Sequence, residues 1–168
     1  PAEGELGTEQ TAFNRGMKSG YKLSKHLAEK EILAGVEKGL NAVIVNPSVV
    51  IGERDIHMHG GQLLKEAKRG HLVLYLDGGM NVAYVGDVVN GHISAAMKGR
   101  TGERYILGGH NMTHRDIFRR VSELVGGRPP FARLPAPMLR LGARAIEAGC
   151  NIIGAEPPMS SDLVAEAG

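Results

Sequence analysis

The chain has no tryptophan, three phenylalanines and four tyrosines, so aromatic residues make up only 4% of its 168 positions. Stacking platforms for nucleobases need such rings, and their scarcity argues against nucleic acid as a partner. Basic and acidic residues nearly balance, 20 against 18, leaving a formal charge of +2. That leaves no field of one sign to hold a polyanion or an anionic membrane surface. No apolar run approaches the ~20 residues needed to cross a bilayer, and no secretory signal is visible. Cys150 is the single cysteine. It cannot staple the fold internally, and it points to a reducing compartment, the cytoplasm.

With 42% hydrophobic and 23% charged residues, the composition is that of a globular domain able to bury one core. The opening dozen residues are polar and Gly-rich with no strand, and the chain closes on an apolar-periodic segment at Gly168. Both ends read as those of a piece cut from a longer protein.

Periodicity predicts a helix over 13–38, with Leu23, Leu27, Ile32 and Val36 at helical spacing and Gly39 as its stop. Leu40 to Val45 is an apolar run of strand length, and Pro47 argues against further ladder bonds. A second amphipathic segment runs from Gly60-Gly61 to Gly70. Strands are expected at 72–76, 82–85 and 104–107. Asp87 is the expected cap of a helix over 88–97, and Thr113 of a helix ending at Gly126-Gly127. Arg128-Pro129-Pro130 is a rigid connector to a strand or loop, and further helices are expected over 138–148 and after Pro157-Pro158. A helix feeding a buried strand is the rhythm of α/β folds with a parallel sheet.

Tyr21 and Lys25 are the most informative residues. Positions four apart share a helix face, so the phenol and the ammonium project together. A nearby cation favours the phenolate, and a tyrosine so tuned can exchange a proton with a hydroxyl or carbonyl near neutrality. The same spacing also arises from a packing aromatic beside a solvated lysine. The expected strand after this helix ends at Asn46-Pro47-Ser48. In open α/β sheets, ligands bind beyond such carboxyl ends.

Four motifs in order carry a resemblance: Tyr21-x-x-x-Lys25; Val43-Ile44-Val45-Asn46-Pro47-Ser48 with Gly52 following; Tyr84-Val85-Gly86-Asp87-Val88-Val89-Asn90-Gly91-His92; and Tyr105 to Thr113. The chain resembles the extended short-chain dehydrogenases/reductases, the NAD-dependent epimerase/dehydratase group. Within it, the chain looks most like the dihydroflavonol-reductase-like branch, which includes hopanoid-associated sugar epimerases. The resemblance implies the late part of a doubly wound Rossmann-type parallel sheet joined to a smaller mixed α/β substrate region. Residues 1–55 would end the dinucleotide-binding domain and 56–168 would be mostly substrate-binding, with a segment near 82–98 returning to the first domain. It implies NAD or NADP as cofactor and a small-molecule substrate. It also implies a homodimer formed through the tyrosine helix.

The resemblance further implies roles. Tyr21 would be the acid/base and Lys25 its catalytic partner; both would contact the cofactor, Lys25 by bonding the nicotinamide ribose. Pro47, Ser48 and Val49 would form the turn against the nicotinamide. Asn46, His57, Met58 and His59 would face substrate. The chain departs from the pattern in three places. The glycine-rich dinucleotide fingerprint and the upstream Ser or Thr of the catalytic set are absent from the sequence. Met80 stands where many sugar-nucleotide members carry an arginine, and a thioether cannot make charge-assisted bonds to a diphosphate. The expectation is therefore an epimerase, dehydratase or reductase acting on a hydroxyl or carbonyl carbon, with a non-catalytic nucleotide-binding or scaffold protein as the alternative. This piece alone is expected to be inactive.

Other chemistries find less support. His57 and His59 are two apart with Asp55 before them, but catalytic zinc needs about three protein ligands and none completes the set. Ser24, Ser48 and Ser94 lie in no Gly-x-Ser-x-Gly elbow. His26 is expected to face solvent or an interface.

Overall fold

Glycine punctuates this chain, and the first helix shows how. A computed structural model describes residues 6–13, 20–55, 61–135 and 137–138. In chain order the elements are α1 Gly20–Glu37, β1 Ile44–Pro47, β2 Val49–Ile51, α2 Gly61–Lys68, β3 Leu74–Tyr75, β4 Gly79–Tyr84, α3 Val85–Lys98, β5 Arg104–Leu107, β6 His110–Thr113, α4 His114–Leu124 and β7 Ala132–Arg133. The helix α1 stops where Gly39 takes a φ of 98°, a left-handed conformation that favours glycine. The Gly39 and Leu40 amides there turn back to the carbonyls of Val36 and Gly35.

The fold is α/β, and it divides into two units. One comprises 1–53 and 81–110, the other 54–80 and 111–168. In the first, β1 and β5 pair in parallel, with Ile44 opposite Arg104 and Pro47 opposite Leu107. Strand β2 pairs in parallel with β4, with Val49 opposite Val82 and Ile51 opposite Tyr84. Helix α3 follows β4 in the chain, leads to β5, and packs against β1, β2 and β5. Val88 and Ala95 on α3 and Ala83 on β4 form the buried core of this unit. Removing the Val88 side chain from water is worth about 1.5–3 kcal/mol, and each alanine methyl about 0.8 kcal/mol.

In the second unit β3 pairs in parallel with β7, Leu74 opposite Ala132 and Tyr75 opposite Arg133. The helices α2 and α4 pack together. Ala67, Ile117 and Ser122 are buried there. A Cβ at Gly127 would run into the Ala67 carbonyl, so the chain leaving α4 passes α2 at backbone contact. The Thr113 hydroxyl accepts the Asp116 amide at 3.1 Å and caps α4.

Several expectations need correction. Phe13 is not helical, and the described part of the first helix begins at Gly20. None of its residues is buried; Leu23, Leu27 and Ile32 are exposed rather than forming a core face. Asp87 does not cap α3. Strand β4 runs directly into α3, Tyr84 is the N-cap residue but its side chain makes no capping bond, and Asp87 lies in the first turn. A carboxylate there still favours the helix through its dipole. A ladder does continue after Pro47, because the chain changes partner there: β1 lies beside β5 and β2 beside β4. The helices expected over 138–148 and after Pro157, with Cys150, lie outside the described residues.

Candidate active site

Residues four apart in α1 stack one above the other, and Tyr21 and Lys25 do so. The Lys25 ammonium stands 5.4 Å from the centroid of the Tyr21 ring, within cation–π range. Tyr21 is 71% exposed, so its phenol is open to a ligand. Both residues line a hollow of about 1260 Å³ in the first unit, bounded by α1, the segment Thr8–Phe13 and Val43 to Asn46. The structure therefore brings Tyr21, Lys25 and Asn46 to one opening. Pro47, Ser48 and Val49 are not among its lining residues. They form the passage from β1 to β2.

Ser48 is the pivot of that passage. Its amide donates to the Leu107 carbonyl at 3.1 Å, which extends the β1–β5 ladder by one bond. Its Oγ is buried without a hydrogen-bond partner. A hydroxyl left in that state costs about 1–3 kcal/mol. Such orphaned groups in native folds call for an explanation, a bound ligand among them.

Charges and rings frame the hollow. Glu29 on α1 forms an ion pair with Arg104 on β5. The Arg104 guanidinium also donates to the Glu9 carbonyl at 3.4 Å. Glu9 Oε1 accepts the Ile106 amide at 3.1 Å, and this bond, with one from its own backbone, holds the Glu9 carboxyl below its ordinary range. Phe13 stacks on His26, centroids 4.1 Å apart and planes within 5°. His26 thus faces the hollow with Phe13 rather than solvent alone. Sequence reasoning missed this pair. The two rings are thirteen positions apart, across the entry to α1, where helical spacing carries no information.

At the ends of β2 and β4, the Tyr84 hydroxyl donates to Glu53 Oε1 at 2.8 Å. Glu53 is held low by its own backbone and then by Tyr84; Tyr84 is pushed up by Glu53 and, to a lesser degree, Asp87. A Cβ at Gly52 would overlap the Val85 side chain, so only glycine allows that approach. In the second unit, Asp55 Oδ2 accepts the Gly61 amide at 3.0 Å at the start of α2. His57, Met58 and His59 lie outside the described residues. Met80 is part of β4 and is exposed.

Ser24 Oγ donates back to the Tyr21 carbonyl at 2.7 Å within α1. Among the described residues, no three His, Cys, Asp or Glu side chains gather as metal ligands. No helix among the described residues is long and apolar enough to cross a membrane.

The profile of the NAD dependent epimerase/dehydratase family matches residues 1–108. The chain belongs to this family. Members similar to it include a protein of Synechocystis sp. (strain ATCC 27184 / PCC 6803 / Kazusa) described as "Putative dihydroflavonol 4-reductase", 38% identical over 70% of this chain and 34% of its own. Among solved structures, gox2253 shares 37% identity at a TM-score of 0.79, covering 99% of this chain and 52% of its own. PA4631 of Pseudomonas aeruginosa, described as a nucleoside-diphosphate-sugar epimerase, shares 31% identity at a TM-score of 0.75, covering 93% and 52%. The chain thus spans about half the length of these two solved proteins and about a third of the Synechocystis protein.

Proposed function

We propose that this chain supplies the proton-transfer side of an NAD(P)-dependent oxidoreductase or epimerase that acts on a carbon bearing a hydroxyl or carbonyl. The observation that carries the reading is Tyr21 and Lys25, stacked on one face of α1 and open to the same hollow as Asn46. The residues present fit a nicotinamide nucleotide. Lys25 offers an ammonium to a ribose hydroxyl. The buried, unpartnered Ser48 Oγ offers a polar group at a strand's carboxyl end, as a carboxamide requires. The cofactor, when bound, exchanges hydride with the substrate carbon.

The chain's own residues handle everything else. In the reducing direction the Tyr21 hydroxyl donates its proton to the carbonyl oxygen as that oxygen gains charge; in the oxidising direction the phenolate accepts it. Lys25, held over the ring, bonds the ribose. Asn46 orients substrate from the hollow's wall. By the family resemblance, His57, Met58 and His59 would contact substrate. The first unit would be the dinucleotide-binding part and the second the substrate-binding part. Exposed Leu23 and Leu27 on α1 support a dimer built through that helix.

A small hydroxyl- or carbonyl-bearing substrate without a diphosphate suits the site better than a nucleotide sugar, because Met80 brings no charge to bond phosphate. Turnover of the enzyme with Tyr21→Phe is the test. Activity should fall below detection while NAD(H) or NADP(H) affinity stays within about tenfold, since one neutral hydrogen bond at most is lost to the cofactor. Turnover at the wild-type rate would overturn the reading.

A further inference from the structure

Ser48 is where the chain leaves one parallel pair and joins another: β1, ending at Pro47, lies beside β5, and β2, starting at Val49, lies beside β4. A residue at such a crossing has no regular ladder on both sides to fix it. Its amide is fastened on the β5 side by the Leu107 carbonyl. On the other side, the register that sets Val49 opposite Val82 puts Ser48 level with Asn81. The Asn81 side chain bonds the peptide of Gly109: Oδ1 accepts the Gly109 amide at 2.7 Å, and Nδ2 donates to the Gly109 carbonyl at 3.4 Å. Gly109 can sit there because it has no Cβ; one would strike the Val82 carbonyl and stand 2.9 Å from the Ala83 Cα. One amide side chain therefore joins β4 to the residues just past β5, two positions beyond the carbonyl that holds Ser48.

We propose that Asn81 is a positioning residue for the nicotinamide-facing turn: by clamping Gly108-Gly109 to β4 it fixes the Leu107 carbonyl, and through that carbonyl it fixes Pro47 and Ser48. The inference rests on the reading of that turn as the cofactor's contact. Asn81 touches no reacting atom. Its effect reaches the site through two hydrogen bonds and a short stretch of backbone.

The test is cofactor titration of the enzyme with Asn81→Ala and Asn81→Asp, by NADH and NADPH fluorescence, far below the melting temperature. Asn81→Ala removes both bonds and should weaken cofactor binding about tenfold, with kcat at saturating cofactor changing less than the affinity. Asn81→Asp keeps the acceptor for the Gly109 amide and should restore binding to within about threefold. A residue that only stabilises the fold would lower the melting temperature and leave that ordering absent. Should Asn81→Ala not fold, amide exchange in the wild type decides instead: the Ser48 and Gly109 amides should slow together when cofactor is added. Wild-type affinity in Asn81→Ala, or Ser48 slowing while Gly109 does not, overturns the inference. If the wild type binds cofactor and depends on Tyr21, that result leaves the proposed function standing. If the wild type binds neither NADH nor NADPH, both fall.

Discussion

The Tyr84 hydroxyl donates a 2.8 Å hydrogen bond to Glu53, tying the end of β4 to the residue at which the chain leaves its first unit. Each partner alters the other's titration. Glu53 ionises below its ordinary 4.5, so its contribution to stability is present above that value and is lost as pH falls through the lower folded-state value. Tyr84 ionises above its ordinary 10.0, so its contribution is present below 10.0 and is lost as pH rises through the higher folded-state value. The bond's contribution is therefore complete between about pH 4.5 and 10 and is lost only beyond the lowered Glu53 value or the raised Tyr84 value. In Tyr84→Phe the Glu53 midpoint, followed by carboxyl carbon NMR, should rise only part of the way to 4.5, because Glu53's own backbone amide is the larger cause. A full return would contradict that ranking.

Removing the cap on α4 tests the local folding logic. Thr113→Ala deletes the acceptor for the Asp116 amide and the hydroxyl that donates to Asp116 Oδ2 at 2.7 Å. Denaturant unfolding should show a loss of about 1 kcal/mol. Thr113→Ser should recover most of it.

The helix contact in the second unit tests packing. Gly127→Ala places a methyl against the Ala67 carbonyl, a backbone atom that cannot swing aside. Stability should fall by about 1–3 kcal/mol. Gly126→Ala meets nothing within 4 Å but takes a φ of 67°, so it should cost about 1 kcal/mol through backbone strain alone. Thermal denaturation of the two variants separates overlap from strain.

Lys25 should act on cofactor affinity and on rate together. Lys25→Met removes the ammonium held 5.4 Å from the Tyr21 ring centroid while keeping side-chain length. Cofactor binding should weaken about tenfold or more, as for loss of a charged hydrogen bond, and kcat should fall as well. A change in kcat alone would place Lys25 away from the ribose.

Much of this could be read from residues because their causes are local. Arg104 to Leu107 is a strand bounded by Gly102 and Gly108, and Thr113 sits immediately before an amphipathic run. The Tyr21–Lys25 stack follows from helical spacing alone. Other features depend on partners far along the chain. Strand β2 was hidden because Pro47 lacks an amide, yet the ladder bond beyond it comes from Ser48, and β2 finds β4 more than 30 residues later. Asp87 resembles a cap only if a loop separates β4 from α3, and none does. The Phe13–His26 stack and the Asn81–Gly109 clasp join residues with no shared periodicity, so no pattern could announce them.

The chain passes between its two units after Glu53, after Met80 and after His110. A protease that nicks any one of these junctions would leave the other two covalent links intact, so limited digestion should not release either half. Neither unit is a continuous stretch that could be grafted onto another protein by end-to-end fusion. Exchanging the second unit for another would require replacing both of its segments at once.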